Sequence, residues 1–276
     1  MRRGATRGCA PTSPATSSAR EATRSTSSAA GRRAVAADYT PAELMAAAIA
    51  RLLRDSETIA VGSVSPIPAS ACLLAKASHA PRARLILLGS PEHFPFNGGM
   101  QEFYNFAMRG RIDVFFGSGA QIDQSGAFNL CVIGDPARPA VRLPGGRAQG
   151  VLPFVIPRTI LFRTDHSRRV FVPRVDFVTA PGSSPPGVYR RGGVSEVVSD
   201  LAVLTFHPEW KRLELTSVHP GVTLEEVEAR TGFPLHPPRP APFTPPPTPG
   251  ELALLRGPVR EQLAAIYPEF VRQQPT

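Results

Sequence analysis

The residues best placed to do chemistry lie in one stretch, Gly117-Ser118-Gly119-Ala120-Gln121-Ile122-Asp123-Gln124-Ser125-Gly126-Ala127-Phe128-Asn129-Leu130. Its glycines let the backbone approach a ligand closely, and Gln121, Asp123 and Asn129 add polar side chains. The same letters also describe a glycine-rich turn in which Asp123 and Asn129 bond their own main chain. From the residue types alone the two readings stand level. Neither the GxGxxG of dinucleotide sites nor the GxxxxGK[ST] of a phosphate loop is present. Cys9, Cys72 and Cys131 are odd in number and widely spaced, with no CxxC pair and no Cys/His cluster at metal-ligand spacing. A disulfide framework and a zinc site are therefore disfavoured, and the two later cysteines are expected to be small buried hydrophobes without a catalytic role.

The elements that must position this stretch read as alternating strands and helices. Thr40-Pro41-Ala42-Glu43 places Thr at an N-cap, Pro at the first helical position and Glu at the third, opening a helix through about Arg54. Thr58 to Gly62 is a short apolar strand, followed by a small-residue helix from about Pro68 to Ala77. Leu85 to Leu88 is a second strand, residues 98 to 109 a helix, and Ile112 to Phe116 a third strand that runs directly into Gly117. The strand runs are continuously apolar rather than alternating, as strands covered by helices on both faces require. The fold class this implies is a layered α/β unit with a largely parallel sheet and ligands at the carboxyl ends of its strands.

Beyond Gly117 the strands become shorter, near 127–133, 158–163, 168–172, 175–179, 195–199, 201–206 and 213–218, and several are expected to pair antiparallel. Leu201–Phe206 and Leu213–Val218 form an expected hairpin. Thr223-Leu224-Glu225-Glu226 starts a short helix that stops near Gly232. Residues 234 to 249 hold nine prolines and read as an extended connecting strap, leading to helices over about 250–256 and 258–267.

Charge narrows the function classes. The formal charge of +9 is concentrated in residues 1 to 37, which carry seven arginines against Glu21 alone. The remaining 239 residues hold 24 basic and 21 acidic groups, and no basic run interleaved with aromatics, so nucleic-acid binding is disfavoured. That arginine-, serine- and alanine-rich tail has the composition of a transit peptide without a convincing amphipathic period. It is expected to be disordered, with one domain over 39–276. No apolar run reaches the roughly 18 residues needed to span a bilayer, and no secretory signal is apparent; the expected location is the cytoplasm.

The phrase GSGAQIDQSGAFNLCVIGD closely resembles the GGAQID-x-x-GN-x-N...IGD stretch of the β subunits of family I coenzyme A-transferases. The resemblance continues in order through Arg142-Leu143-Pro144-Gly145-Gly146, the run from His166 to Gly182, Val197-Val198-Ser199-Asp200 and the run from His219 to Leu235. The opening YTPAELMAAAIARLL also looks like the family's first helix. It implies a β-type subunit that works with an α-type CoA-transferase partner in a hetero-oligomer. A coenzyme A thioester would be the substrate, with no permanently bound cofactor and no metal. It further implies that Gly117, Gly119, Gln121, Asp123 and Asn129 line the substrate site. Gly145 and Gly146 would form a second loop offering amides to the thioester oxygen or the CoA phosphates.

The resemblance breaks at the second strand. Where the family carries a Glu-Ser-Gly triplet whose glutamate attacks the acyl-CoA, this chain reads Leu88-Gly89-Ser90. Leucine has no nucleophilic atom, so the family's covalent route cannot start there. Glu92 is a weak substitute four residues on, better read as a solvated surface carboxylate, and Ser90 and His93 lack a visible triad partner. Three roles follow from the resemblance. The chain reads as a CoA-transferase subunit, as half of a hydrolase pair such as that of bacterial steroid-ring cleavage, or as a non-catalytic CoA-binding subunit.

Overall fold

The computed structural model describes residues 38–238 and 240–274; the expected disorder of residues 1 to 37 lies outside them. Helix α1 (Pro41–Ala50) begins with the reciprocal cap read from the sequence: Glu43 N donates to Thr40 Oγ1 at 3.2 Å, and Thr40 N donates to Glu43 Oε2 at 2.7 Å. It ends at a cap on Arg51, earlier than expected. Strand β1 (Thr58–Val61), α2 (Pro66–Ser78), β2 (Arg84–Leu87), α3 (Gly99–Met108) and β3 (Val114–Gly117) follow in the expected alternation.

Two short antiparallel pairs come next, β4 (Gln121–Ile122) with β5 (Phe128–Asn129) and β6 (Val132–Ile133) with β7 (Val141–Arg142). The single strand expected over 127–133 is thus cut in two. Asn129 explains the break, because its Oδ1 accepts from the amides of Cys131 and Val132, which therefore cannot both serve a ladder. A single-turn α4 (Leu152–Val155) leads to β8 (Arg158–Arg163). The stretches 168–172 and 175–179 are not strands. Only Phe171 makes an isolated bridge, to Ile122, and Pro173 between them can donate nothing to a ladder. Strands β9 (Gly193–Ser199), β10 (Ala202–His207) and β11 (Arg212–Val218), then helices α5 (Leu224–Arg230), α6 (Pro249–Arg256), α7 (Pro258–Ala264) and α8 (Pro268–Arg272), complete the order.

The main sheet runs β11-β10-β9-β8-β3-β1-β2. Five strands, β2, β1, β3, β8 and β9, pair parallel, and β9-β10-β11 pair antiparallel. Residues 164–192 give the chain room to return to the end of the sheet at which β8 begins, so β9 pairs with β8 in parallel. Alternate residues of the strands serve two cores. Ile59, Val61, Leu85, Leu87, Val114 and Phe116 pack with α1 and α2, while Ala60, Ile86 and Phe115 pack with α3 and α4. Hydrophobic demand on both faces is what makes these strands read as unbroken apolar runs.

The proline-rich strap is a packed connector. Val218 N donates to Pro242 O and Thr244 N to Val218 O along the edge of β11. Arg51 then fixes the strap's end, donating to the carbonyls of Pro245 and Pro246 and to the carboxylate of Glu251. With the partly buried ion pair of Arg256 and Glu43, these bonds tie the C-terminal helices to α1. No helix among the described residues is long and apolar enough to cross a membrane.

Candidate functional site

At the carboxyl ends of the parallel strands β1, β2, β3 and β8 lies a cavity of about 700 Å3. Gly62 and Ser63 follow β1, Leu88 and Gly89 follow β2, Gly117 and Ser118 end β3, and Phe162 and Arg163 end β8. Helix α3 closes one side with Met100, Phe103 and Tyr104, and the loop from Gly145 to Gln149 closes another. The lining is strongly apolar and aromatic. Among the described residues, its only charged side chains are Arg147 and Arg163, and it contains no aspartate, glutamate, cysteine or histidine.

Backbone shape decides several positions here. Gly89 and Gly145 sit at φ +95 and +92, a conformation costly for any residue with a Cβ. At Gly117 a Cβ would lie 2.9 Å from Gln149 Oε1 and 3.0 Å from Leu161 Cδ2, so a larger residue would displace the Gln149 side chain. Gln149 in turn accepts from Ser118 N at 3.2 Å, which fixes the loop after β3 against the loop containing Gly145. The Gly145 amide is spent on Leu130 O at 3.0 Å.

Leu88 lies in the cavity wall, partly buried against the cluster of Ile86, Phe96, Phe103 and Phe115. Glu92 is exposed and outside the lining. Ser90 is buried, and its Oγ accepts from His93 N and meets His93 Nδ1 at 3.2 Å. This is a local turn bond, and neither side chain lines the cavity.

The sequence-derived site residues separate into two groups. Gly117, Gly145 and Gly146 line the cavity, whereas Gly119, Gln121, Asp123 and Asn129 do not. Gly119 is packed so tightly that a Cβ would lie 2.7 Å from Gln121 O. The three side chains are buried and bonded to their surroundings. Gln121 donates to Asp176 Oδ2 and accepts from Asn129 Nδ2 and Asp176 N; Asn129 Nδ2 also donates to Val132 O. Asp123 accepts from Ser125 N and Oγ at 3.0 and 2.6 Å, and from Val175 N at 3.2 Å. Asp123→Ala is accordingly expected to lower stability by about 2 kcal/mol, through the amides it leaves unmet. Ligand affinity per folded molecule should stay near its original value. Urea unfolding beside calorimetric titration checks this: loss of affinity at unchanged stability would place Asp123 in contact with ligand.

The walls contributed by α3, and Arg163 at the end of β8, received no role from the sequence. A guanidinium closing the apolar run Thr159-Ile160-Leu161-Phe162 was the available signal, but only the fold brings it to the ends of β1 to β3.

Residues 86–230 match the family model described as Coenzyme A transferase. The β-type subunit of the 3-oxoadipate CoA-transferase of Pseudomonas knackmussii is 31% identical over 79% of this chain and 92% of its own. The cholesterol ring-cleaving hydrolase IpdB subunit of Mycobacterium bovis is 28% identical over 85% of this chain and 98% of its own. Among solved structures, glutaconate coenzyme A-transferase of Acidaminococcus fermentans superposes with a TM-score of 0.72 at 27% identity, covering 80% of this chain and 94% of that one. With the largely parallel sheet, the strand-end cavity and these relatives together, the chain belongs to the coenzyme A transferase family as a β-type subunit.

Proposed function

We propose that the chain forms the acyl-binding half of a cytoplasmic heteromeric enzyme acting on CoA thioesters, and that an α-type partner brings the reacting carboxylate. The observation that carries this reading is the cavity itself. It stands where α/β sheets bind ligands, and its lining, among the described residues, holds no carboxylate, thiol or imidazole from this chain. The apolar walls would hold the acyl group, and Gly146 is the residue of the Gly145-Gly146 pair to which we assign an amide donor for the thioester oxygen. The β-type relatives support the heteromeric arrangement.

Between transfer and cleavage, Leu88 favours a reaction without a covalent thioester on this chain. The presence of a ring-cleaving hydrolase among the relatives supports the same side, since that protein is named for cleavage rather than transfer. The test is mass spectrometry of the two-subunit complex incubated with acyl-CoA and quenched with hydroxylamine or borohydride. No adduct is expected on the wild-type chain. None is expected on Leu88→Glu either, because the introduced carboxyl would face aromatic walls that raise its pKa and keep it protonated. A stoichiometric adduct on that glutamate would show that the site still has transferase geometry and lacks only its nucleophile. An adduct on the wild-type chain would overturn the proposal.

A further inference from the structure

The turn between β1 and α2 forms one lip of the cavity, with Gly62, Ser63, Val64 and Ser65 all in its lining. It stands beside the place where the family resemblance locates the reacting group: a Cβ built on Gly89, the residue after Leu88, would lie 3.9 Å from Ser63 Cβ. Yet the turn does little to hold itself. Among the described residues, no main-chain hydrogen bond of normal length and angle closes it. Ser65 is the N-cap of α2, but its side chain makes no capping bond, and the third helical position is Pro68, which has no amide for it. Val64, near the tip, is 87% exposed, so burial does not anchor the turn either.

What fastens it comes from the far end of the chain. Tyr267, between α7 and α8, donates its hydroxyl to Gly62 O at 3.3 Å. Burial raises the phenol's pKa, outweighing a backbone hydrogen bond from Ser65 that lowers it, so the hydroxyl keeps the proton it donates. One oxygen therefore meets both ends of the turn. Tyr267 is itself firmly held: its N donates to Leu263 O at 2.7 Å, its carbonyl accepts from Val271 N at 3.1 Å, and its ring packs against the core shared by α1 and α2. Its side chain is not part of the cavity lining, so it acts on the site through the turn alone.

Resting on the acyl-CoA reading above, we infer that Tyr267 is a positioning residue for that site, its hydroxyl clamping residues 62 to 65 so that they present a ready-made wall to the acyl group. Without the clamp the turn has to be ordered at each binding event, and apparent affinity falls for any ligand that uses the wall. An acyl-CoA uses it, whereas coenzyme A without an acyl group does not.

The full chain co-expressed with its α-type partner is titrated calorimetrically with octanoyl-CoA and with coenzyme A, as wild type and as Tyr267→Phe, which keeps the ring and removes only the oxygen. Octanoyl-CoA affinity is expected to fall roughly three- to tenfold, the range for loss of one hydrogen bond, while that of coenzyme A changes by less than about twofold. Amide hydrogen exchange should quicken in the peptide covering the turn and stay at the wild-type rate in the C-terminal helices. A general loss of stability would instead weaken both ligands alike and loosen those helices too. If the wild-type complex binds octanoyl-CoA and Tyr267→Phe either binds it equally well or loses both ligands in step, the role of Tyr267 fails and the acyl-CoA reading stands. Loss of the partner from the variant on size-exclusion chromatography would likewise overturn the inference, since Tyr267 would then act on assembly. If the wild-type complex does not bind octanoyl-CoA, the acyl-CoA reading fails and the inference with it.

Discussion

Purified alone, the chain is expected to turn over acyl-CoA more slowly than the two-subunit complex by a factor of roughly a hundred to ten thousand, the contribution of one positioned acid or base. Fold and cavity are both present in the single chain, so this loss does not come from misfolding. It comes from chemistry the cavity cannot supply. Leu88 presents carbon where the family resemblance places an attacking carboxylate, Glu92 stands outside the lining, and the bond between Ser90 and His93 closes a turn that is also outside it. Arg147 and Arg163 can bind negative charge, but they cannot serve as bases at neutral pH. Adding the α-type partner should restore turnover in one step, with a stoichiometric titration endpoint. Matching turnover by a homogeneous preparation of this chain, confirmed by mass spectrometry to contain no partner, would mean that a catalytic group has been overlooked.

Much of this architecture was legible because local signals agreed with the tertiary solution. The Thr40 cap, the apolar strand runs and the hairpin of β10 and β11 appear where the sequence places them, and β8 spans 158–163 as read. Strand 168–172 was misread because apolar residues there pack into a core without a ladder. Val170 and Phe171 are buried in one cluster with Ile122 and Phe128, so the pattern reports burial and says nothing of pairing. The glycine-rich stretch posed the harder problem. A residue that contacts ligand and one that shapes a loop use the same letters, and only the hydrogen bonds of Gln121, Asp123 and Asn129 show that their polar atoms are already occupied. Arg163 was invisible for the opposite reason. Its position matters through sheet order, which brings the end of β8 beside β3, and no window of sequence contains that neighbourhood.

Stability should fall steeply as pH drops below about 6.5, because of two buried histidines. His166, 1% exposed, lies stacked on Phe171 with ring centroids 3.8 Å apart, between Ser199 Oγ at 2.7 Å and Thr231 Oγ1 at 2.9 Å. Thr231 donates its own hydroxyl proton to Val227 O, so its oxygen accepts from Nε2; the neutral ring then takes the Ser199 hydroxyl proton on Nδ1 at 2.7 Å in preference to Ala202 O at 3.1 Å. Burial pushes the pKa of His166 down to about 3, aided by the positive charge of Arg230. His219 binds Thr244 Oγ1 and the carbonyl of Ser199, and burial pushes it down to about 4. Both folded values lie below the unfolded value of about 6.5, so on unfolding each ring takes up a proton. Their contribution is therefore fully present above pH 6.5 and is lost as pH falls toward 4, by up to about 1.4 kcal/mol per pH unit for each ring. By about pH 4.5 the combined loss approaches about 5 kcal/mol, comparable with the whole stability of many domains. Most carboxylates titrate lower, so between about pH 6.5 and 5 the slope should belong mainly to the histidines. Urea midpoints measured from about pH 7.5 to 5 should decline in the wild type and decline far less in a His166→Asn/His219→Asn double variant, whatever that variant's absolute stability. The slope, rather than the midpoint, carries the test: a wild-type profile flat over that range would show that the rings charge in place and that Ser199, Thr231 and Thr244 can accommodate the imidazolium form.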